Sequence, residues 1–200
     1  DETYWSALRI GVCIVSHTVK SVGSTDGMNR CVATSPEMEI RKTDFVEERI
    51  ADAIQAYKSR DFDKLASIIM AESDALHSIC HSAKPSIEYL SNQSYYVINL
   101  VHFVNAFFGR NLVVLGRSFH VVAYSFDAGS NAFLFYEEKD ESVLIPILAT
   151  LLNPQETSFS LYCSVVHVIS RPQSINSHVS ECIAKWEGSP FQSDRLSQRK

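Results

Sequence analysis

The 200 residues carry a formal net charge of −5, with 46% hydrophobic and 20% charged side chains. That is apolar material for one large domain, and it excludes wholesale disorder and a nucleic-acid binder, whose phosphate partner demands a basic surface. No apolar run reaches the roughly 18 residues of a membrane span, and the acidic first residues do not read as a secretory signal. The cysteines (Cys13, Cys31, Cys80, Cys163 and Cys182) are odd in number and lack a C-x-x-C pair. They read as reduced thiols of a cytoplasmic protein, and no metal site is expected.

In chain order, Leu8 to Ser16 is a continuous apolar run, expected as a strand buried on both faces. Gly23, Ser24, Thr25, Asp26 and Gly27 form a Gly-flanked loop feeding a short helical turn, where hydroxyls and backbone N–H groups can meet an anion. Asp44 to Arg60 has helical spacing at Val46, Ile50, Ala53, Ile54 and Tyr57, with Asp44 as the expected N-cap. Phe62 to Cys80 continues that period, and Pro85 closes the pair. A third helix starts at Asn92 as its cap, turns Tyr96, Leu100, Val101, Val104 and Phe108 inward, and ends at Gly109. Two strands, His120 to Phe126 and Ala132 to Tyr136, flank Asp127. Asp140 then caps a short helix to Leu152, and Leu161 to Ile169 is the last clear strand. The order predicts one sheet covered by helices over residues 1–188, with 189–200 a polar tail.

The turn itself supports two readings. Asp127, Ala128, Gly129, Ser130 and Asn131 are ordinary hairpin residues. Small residues after a strand-end Asp equally leave the carboxylate uncovered and let a ligand approach the backbone.

The run Ala123-Tyr124-Ser125-Phe126-Asp127-Ala128-Gly129-Ser130-Asn131-Ala132 resembles the Y-T-F-D-A-G-P-N-A signature of mevalonate diphosphate decarboxylases, members of the GHMP small-molecule kinase superfamily. The resemblance is colinear from residue 1 to about residue 137. It takes in Asp1-Glu2-Thr3-Tyr4-Trp5, Gly23-Ser24-Thr25-Asp26-Gly27-Met28 with Val32-Ala33-Thr34-Ser35, then Arg49, Asp61-Phe62, Met70, Ser73 and His77, and Pro85-Ser86-Ile87-Glu88-Tyr89. Ser130 stands where the signature has proline, and Asp74 where the family has Asn. Val166 to Gln173 matches a late glycine-rich element only loosely. Residues 110–120 exceed the family's usual helix-to-strand spacing by about ten.

The resemblance implies a GHMP-kinase C-terminal domain, α/β (α+β), mainly an antiparallel sheet covered by helices. It implies ATP-dependent decarboxylation of mevalonate 5-diphosphate to isopentenyl diphosphate, with Asp127 as the catalytic carboxylate. Ser24, Thr25, Gly27, Met28, Ala128 and Gly129 would meet substrate, Gly27 and Met28 chiefly by shaping the loop. Sister enzymes acting on mevalonate monophosphate or mevalonate share this architecture, as would a non-catalytic paralogue. The family's Gly/Ser-rich phosphate loop is not found here, so the N-terminal domain that holds most of ATP and Mg2+ is expected outside this chain, which alone would not turn over. Bacterial relatives often have Arg at the Thr25 position, so the cation is expected from that other domain too. The full-length enzyme is expected to be a cytoplasmic homodimer without nucleic-acid or membrane partners. Ser73, Asp74 and His77 are expected to make ordinary structural contacts, and Tyr89, His102 and His167 to pack with a polar tip.

Overall fold

The computed structural model describes residues 4–16, 20–43, 46–109, 120–152 and 176–189. At its centre is a three-stranded antiparallel sheet in the order β1-β3-β2, with β1 at Leu8–Cys13, β2 at Val122–Phe126 and β3 at Ala132–Glu137. The β2–β3 hairpin sets Phe126 opposite Ala132 and Val122 opposite Tyr136. On the far side of β3, Cys13 also faces Ala132, so all three strands meet at the end where Asp127 emerges. Alternation along β3 buries Ala132, Leu134 and Tyr136, as a sheet with one face on the core requires.

Seven helices accompany the sheet among the described residues: α1 (Ser24–Thr34), α2 (Pro36–Thr43), α3 (Val46–Ser59), α4 (Phe62–Ser82), α5 (Asn92–Gly109), α6 (Glu141–Leu151) and α7 (Ser177–Glu187). One large core joins Ala66 and Met70 of α4, Leu100 and Val104 of α5, Tyr124, Leu134 and Tyr136 of the sheet, Leu148 of α6 and Trp186 of α7. Full burial of each such side chain contributes about 1.5–3 kcal/mol. A smaller core gathers Cys31 of α1, Ile79 and Cys80 of α4, and Ile87 and Tyr89, with Ala128 packed against it. The turn carrying Asp127 therefore rests on both cores.

Several expectations need correction. Strand β1 ends at Cys13 and is not buried on both faces: Ile10 is 41% exposed. Gly11 and Cys13, on the opposite face of β1, are buried. In α3, the apolar stripe points outward, with Ile50 54% and Ile54 48% exposed, while the small Ala56 is the residue that is buried. The true cap of α5 is Ser91, whose Oγ accepts the Ser94 N–H at 3.2 Å while Ser94 Oγ accepts the Ser91 N–H at 3.0 Å. Asn92 is already inside that helix. Helix α7 was not foreseen, although Asn176 caps it through the Val179 N–H and Val179, Cys182, Ile183 and Trp186 keep helical spacing. Asp44, the strand at 161–169, the late element at 166–173, His167, the long connection at 110–119 and nearly all of the tail lie outside the described residues.

Asp140 occupies the N-cap of α6, yet its side chain makes no capping bond. Its Oδ2 is buried without a hydrogen-bond partner. Burial, together with the Glu137 and Asp63 carboxylates and against the pull of Lys139, raises its pKa from 3.8 to about 6. The folded state thus holds the proton more tightly than the unfolded one, so stability is greatest below about pH 4 and is lost as pH rises through about 6. Asp140→Asn should stabilise the fold at pH 8 by about 1 kcal/mol, a figure discounted for the half-exposed site. The gain should vanish near pH 4, as urea unfolding at the two pH values would show.

Candidate active site

Asp127 leaves β2 exposed, and the residues after it form a turn tied down from several directions. The Gly129 N–H donates to the Asp127 carbonyl at 2.7 Å. A Cβ on Gly129 would stand 3.4 Å from Asp127 Oδ1, an ordinary contact, so the carboxylate lies directly over this glycine. Ser94 Oγ donates to the Ser130 carbonyl at 2.8 Å, linking the turn to the start of α5. Asn131 Oδ1 accepts the N–H groups of Val15 and Ser16 at 2.9 and 3.2 Å. The backbone of the turn is held while the carboxylate stays accessible.

The Ser24 loop arrives beside this turn. Gly23 is the N-cap of α1 and offers no side-chain cap, so the first N–H groups of the helix are free of one. Such a terminus favours negative charge. Ser24 and Thr25 are exposed there, whereas Gly27 is buried because Tyr89 lies on it. Tyr89 Oη donates to the Gly23 carbonyl at 3.3 Å. Met28 is 37% exposed and belongs to neither core.

Lys20 joins the two halves. Its Nζ donates to Ser24 Oγ at 2.8 Å and to the Ala128 carbonyl at 2.7 Å, and it lies 6.0 Å from the centre of the Tyr89 ring. Lys20 thus places a cation beside Ser24 within this chain, although not at the Thr25 position. A lone lysine four residues before Ser24 carries no motif, which is why the sequence did not single it out. The arrangement brings together an exposed carboxylate, a primary ammonium, two hydroxyls and a helix N-terminus. That set suits an anionic substrate with a hydroxyl to be deprotonated.

Helix α4 backs the carboxylate strand. Ser73 Oγ accepts the Phe126 N–H at 2.9 Å, and the His77 ring meets Phe126 edge-on with centroids 6.2 Å apart. Tyr124 Oη donates to Asp74 at 3.0 and 3.2 Å and contacts His102 Nε2 at 3.3 Å. Burial and the Asp74 carboxylate push the Tyr124 phenol well above its usual pKa, so it acts as a fixed donor. These contacts converge on the strand that delivers Asp127. The free cysteines Cys13, Cys31, Cys80 and Cys182 are all buried. Burial pushes Cys13 and Cys182 up to about 12, so neither is a thiolate nucleophile.

A mixed domain of this order, a small antiparallel sheet backed by helices with its candidate site at the strand ends, has the GHMP-kinase-type fold of its structural relatives. Residues 10–192 match the mevalonate 5-diphosphate decarboxylase C-terminal domain. Diphosphomevalonate decarboxylase of Danio rerio is 40% identical over 135 residues, covering 68% of this chain and 32% of that protein. The solved mevalonate diphosphate decarboxylase from Trypanosoma brucei is 38% identical with a TM-score of 0.66, covering 74% of this chain and 37% of that one. A structure described as MDDEF in complex with MVAPP, AMPPCP and magnesium is 27% identical with a TM-score of 0.61, covering 75% of this chain and 42% of that one. The chain belongs to the mevalonate 5-diphosphate decarboxylase C-terminal domain family. It spans about a third of the length of the curated relatives it matches.

Proposed function

We propose that this chain is the substrate-binding and catalytic C-terminal domain of a diphosphomevalonate decarboxylase. The carrying observation is the Lys20 bridge, which makes the Ser24 loop and the Asp127 turn one site. In the reaction, the tertiary 3-hydroxyl of mevalonate 5-diphosphate attacks the γ-phosphoryl group of ATP, and ADP leaves. The 3-phosphate then departs as inorganic phosphate while the C1–C2 bond breaks, releasing CO2 and leaving the double bond of isopentenyl diphosphate. A tertiary alcohol is hindered and weakly acidic. Asp127 accepts or orients its proton, and the fixed turn holds the carboxylate where the hydroxyl must lie. Lys20, Ser24, Thr25 and the α1 N-terminus neutralise phosphate charge. Mg2+, bound with the nucleotide, would offset the charge of its phosphates. Most contacts to ATP fall to the part of the relatives' length that this chain does not span. The enzyme is cytoplasmic and, at full length, a homodimer acting without nucleic acid or membrane. Among the described residues no helix is long and apolar enough to cross one.

Titrating mevalonate 5-diphosphate into the labelled chain tests the substrate side by NMR. The amides of Ser24, Thr25, Ala128 and Gly129 should shift, and ATP alone should leave them largely unmoved. Silence at all four amides, or an equal response to ATP, would contradict the assignment. In the same titration Lys20→Gln should weaken binding about tenfold through loss of a charge-assisted contact. Its thermal midpoint should hardly move, since the lysine is exposed.

A further inference from the structure

Strand β2 borders the sheet among the described residues, so the backbone groups on its outer edge need partners from elsewhere. Side chains of two helices supply them. At the entry end, Asn105 of α5 accepts the N–H groups of Val121 and Val122 at 2.9 and 3.2 Å and donates to the Val122 carbonyl at 2.8 Å. At the exit end, the residue immediately before Asp127 is treated the same way. Phe126 gives its N–H to Ser73 Oγ at 2.9 Å, and its ring meets the His77 ring edge-on with centroids 6.2 Å apart.

We propose that Ser73 and His77 are positioning residues that hold the backbone N–H and the ring of Phe126 and thereby fix the reach of the Asp127 carboxylate. They stand four apart on α4 and so share one face of it. Ser73 is 3% exposed, leaving little room for another partner. The His77 ring packs edge-on against Phe126 at 79°, which holds the side chain of the same residue. The groups acting on His77 are the Asp74, Asp127 and Glu88 carboxylates and the Phe126 carbonyl, all favouring the cation. Burial outweighs them and lowers its pKa, so the ring near Asp127 is neutral at pH 7 and leaves the carboxylate unpaired, ready to take a proton.

This inference rests on the role proposed for Asp127, and its test separates the two. The first arm is amide exchange on the chain itself and needs no turnover. Ser73→Ala should speed exchange at the Phe126 amide about 10- to 100-fold, as expected for one lost buried hydrogen bond. The Val122 amide, held by Asn105, should stay within about twofold if the change is local. Unchanged exchange at Phe126, or equal acceleration at Val122, overturns the clamp. The second arm is kinetics, with the chain carried in a protein of its relatives' full length. Ser73→Ala and His77→Ala should lower kcat about tenfold or more with KM within about twofold, the pattern of lost orientation without lost binding. His77→Phe, which keeps a ring against Phe126, should recover part of kcat. Activity abolished by Asp127→Asn but untouched by Ser73→Ala and His77→Ala overturns the clamp alone. Activity that survives Asp127→Asn overturns the Asp127 reading and the clamp together.

Discussion

Asp127→Asn should lower kcat for ATP-dependent decarboxylation by about 10^2- to 10^4-fold, the range that a positioned proton acceptor contributes. Asparagine keeps the size of the side chain and the turn that carries it. It loses the charge and the ability to take a proton from a tertiary hydroxyl. The carboxylate is exposed and the turn is held through backbone groups of Ala128 and Ser130 and the Asn131 side chain, none of which this change touches. Stability should therefore stay within about 0.5 kcal/mol of the parent, as for other surface substitutions. KM for mevalonate 5-diphosphate should move little, because the groups proposed to bind phosphate lie on the Lys20 and Ser24 side. A large rise in KM with kcat preserved would instead make Asp127 a binding residue. Steady-state kinetics beside a thermal melt reads all three quantities.

Gly27→Ala should be the most damaging small substitution to the fold. By intrinsic propensity, alanine in a helix is favoured over glycine by about 1 kcal/mol. Here the added Cβ would stand 2.0 Å from Tyr89 Oη and 3.2 Å from Cζ. Tyr89 cannot swing away cheaply, since it is buried in the smaller core, donates to the Gly23 carbonyl and lies under Lys20. Overpacking of this kind costs about 1–3 kcal/mol or more, so it outweighs the propensity gain and the net effect is destabilising. Because the relief would come by shifting α1, the Ser24 end of the site should loosen too. Adding Tyr89→Phe removes the clashing oxygen, and the double variant should regain most of the lost stability. Urea unfolding of the single and double variants measures this; a Gly27→Ala chain as stable as the parent would show that α1 sits less tightly on Tyr89.

What the sequence revealed follows from how locally each feature is encoded. Helices α4 and α5 and the β2–β3 hairpin were legible because long apolar periods and a small-residue turn between two β-rich runs are local signals. Asp127 was legible as a residue with a possible role, and the family signature around it, not its spacing, singled it out. The α3 stripe was legible as a helical pattern, and its exposure was not. Period tells that a face is apolar, while what lies against it is a tertiary fact. Helix α1 was underestimated because Ser24, Thr25, Asp26 and Gly27 are poor helix formers. Its buried Gly27 and Cys31 rest on Tyr89 and Cys80, contacts made across 49 positions of chain between Cys31 and Cys80 and more between Gly27 and Tyr89. Lys20 was invisible as a site residue for the same reason, and Ser73 and His77, named by the resemblance, were read as structural: each meets Ala128 or Phe126, far along the chain. The cap at Ser91 and helix α7 are different cases. Both had local signals, a serine three residues before another serine and an Asn ahead of a 3-4 spaced apolar set, and both were passed over.

The account stands or falls on CO2. With the chain carried in a protein of its relatives' full length, mevalonate 5-diphosphate labelled at C1 and ATP should release labelled CO2, with one ADP and one inorganic phosphate per CO2. Release that disappears in Asp127→Asn is the predicted result. ADP formed without CO2, or CO2 released from the monophosphate and not from the diphosphate, would contradict it and move the chain to a sister reaction of the same fold.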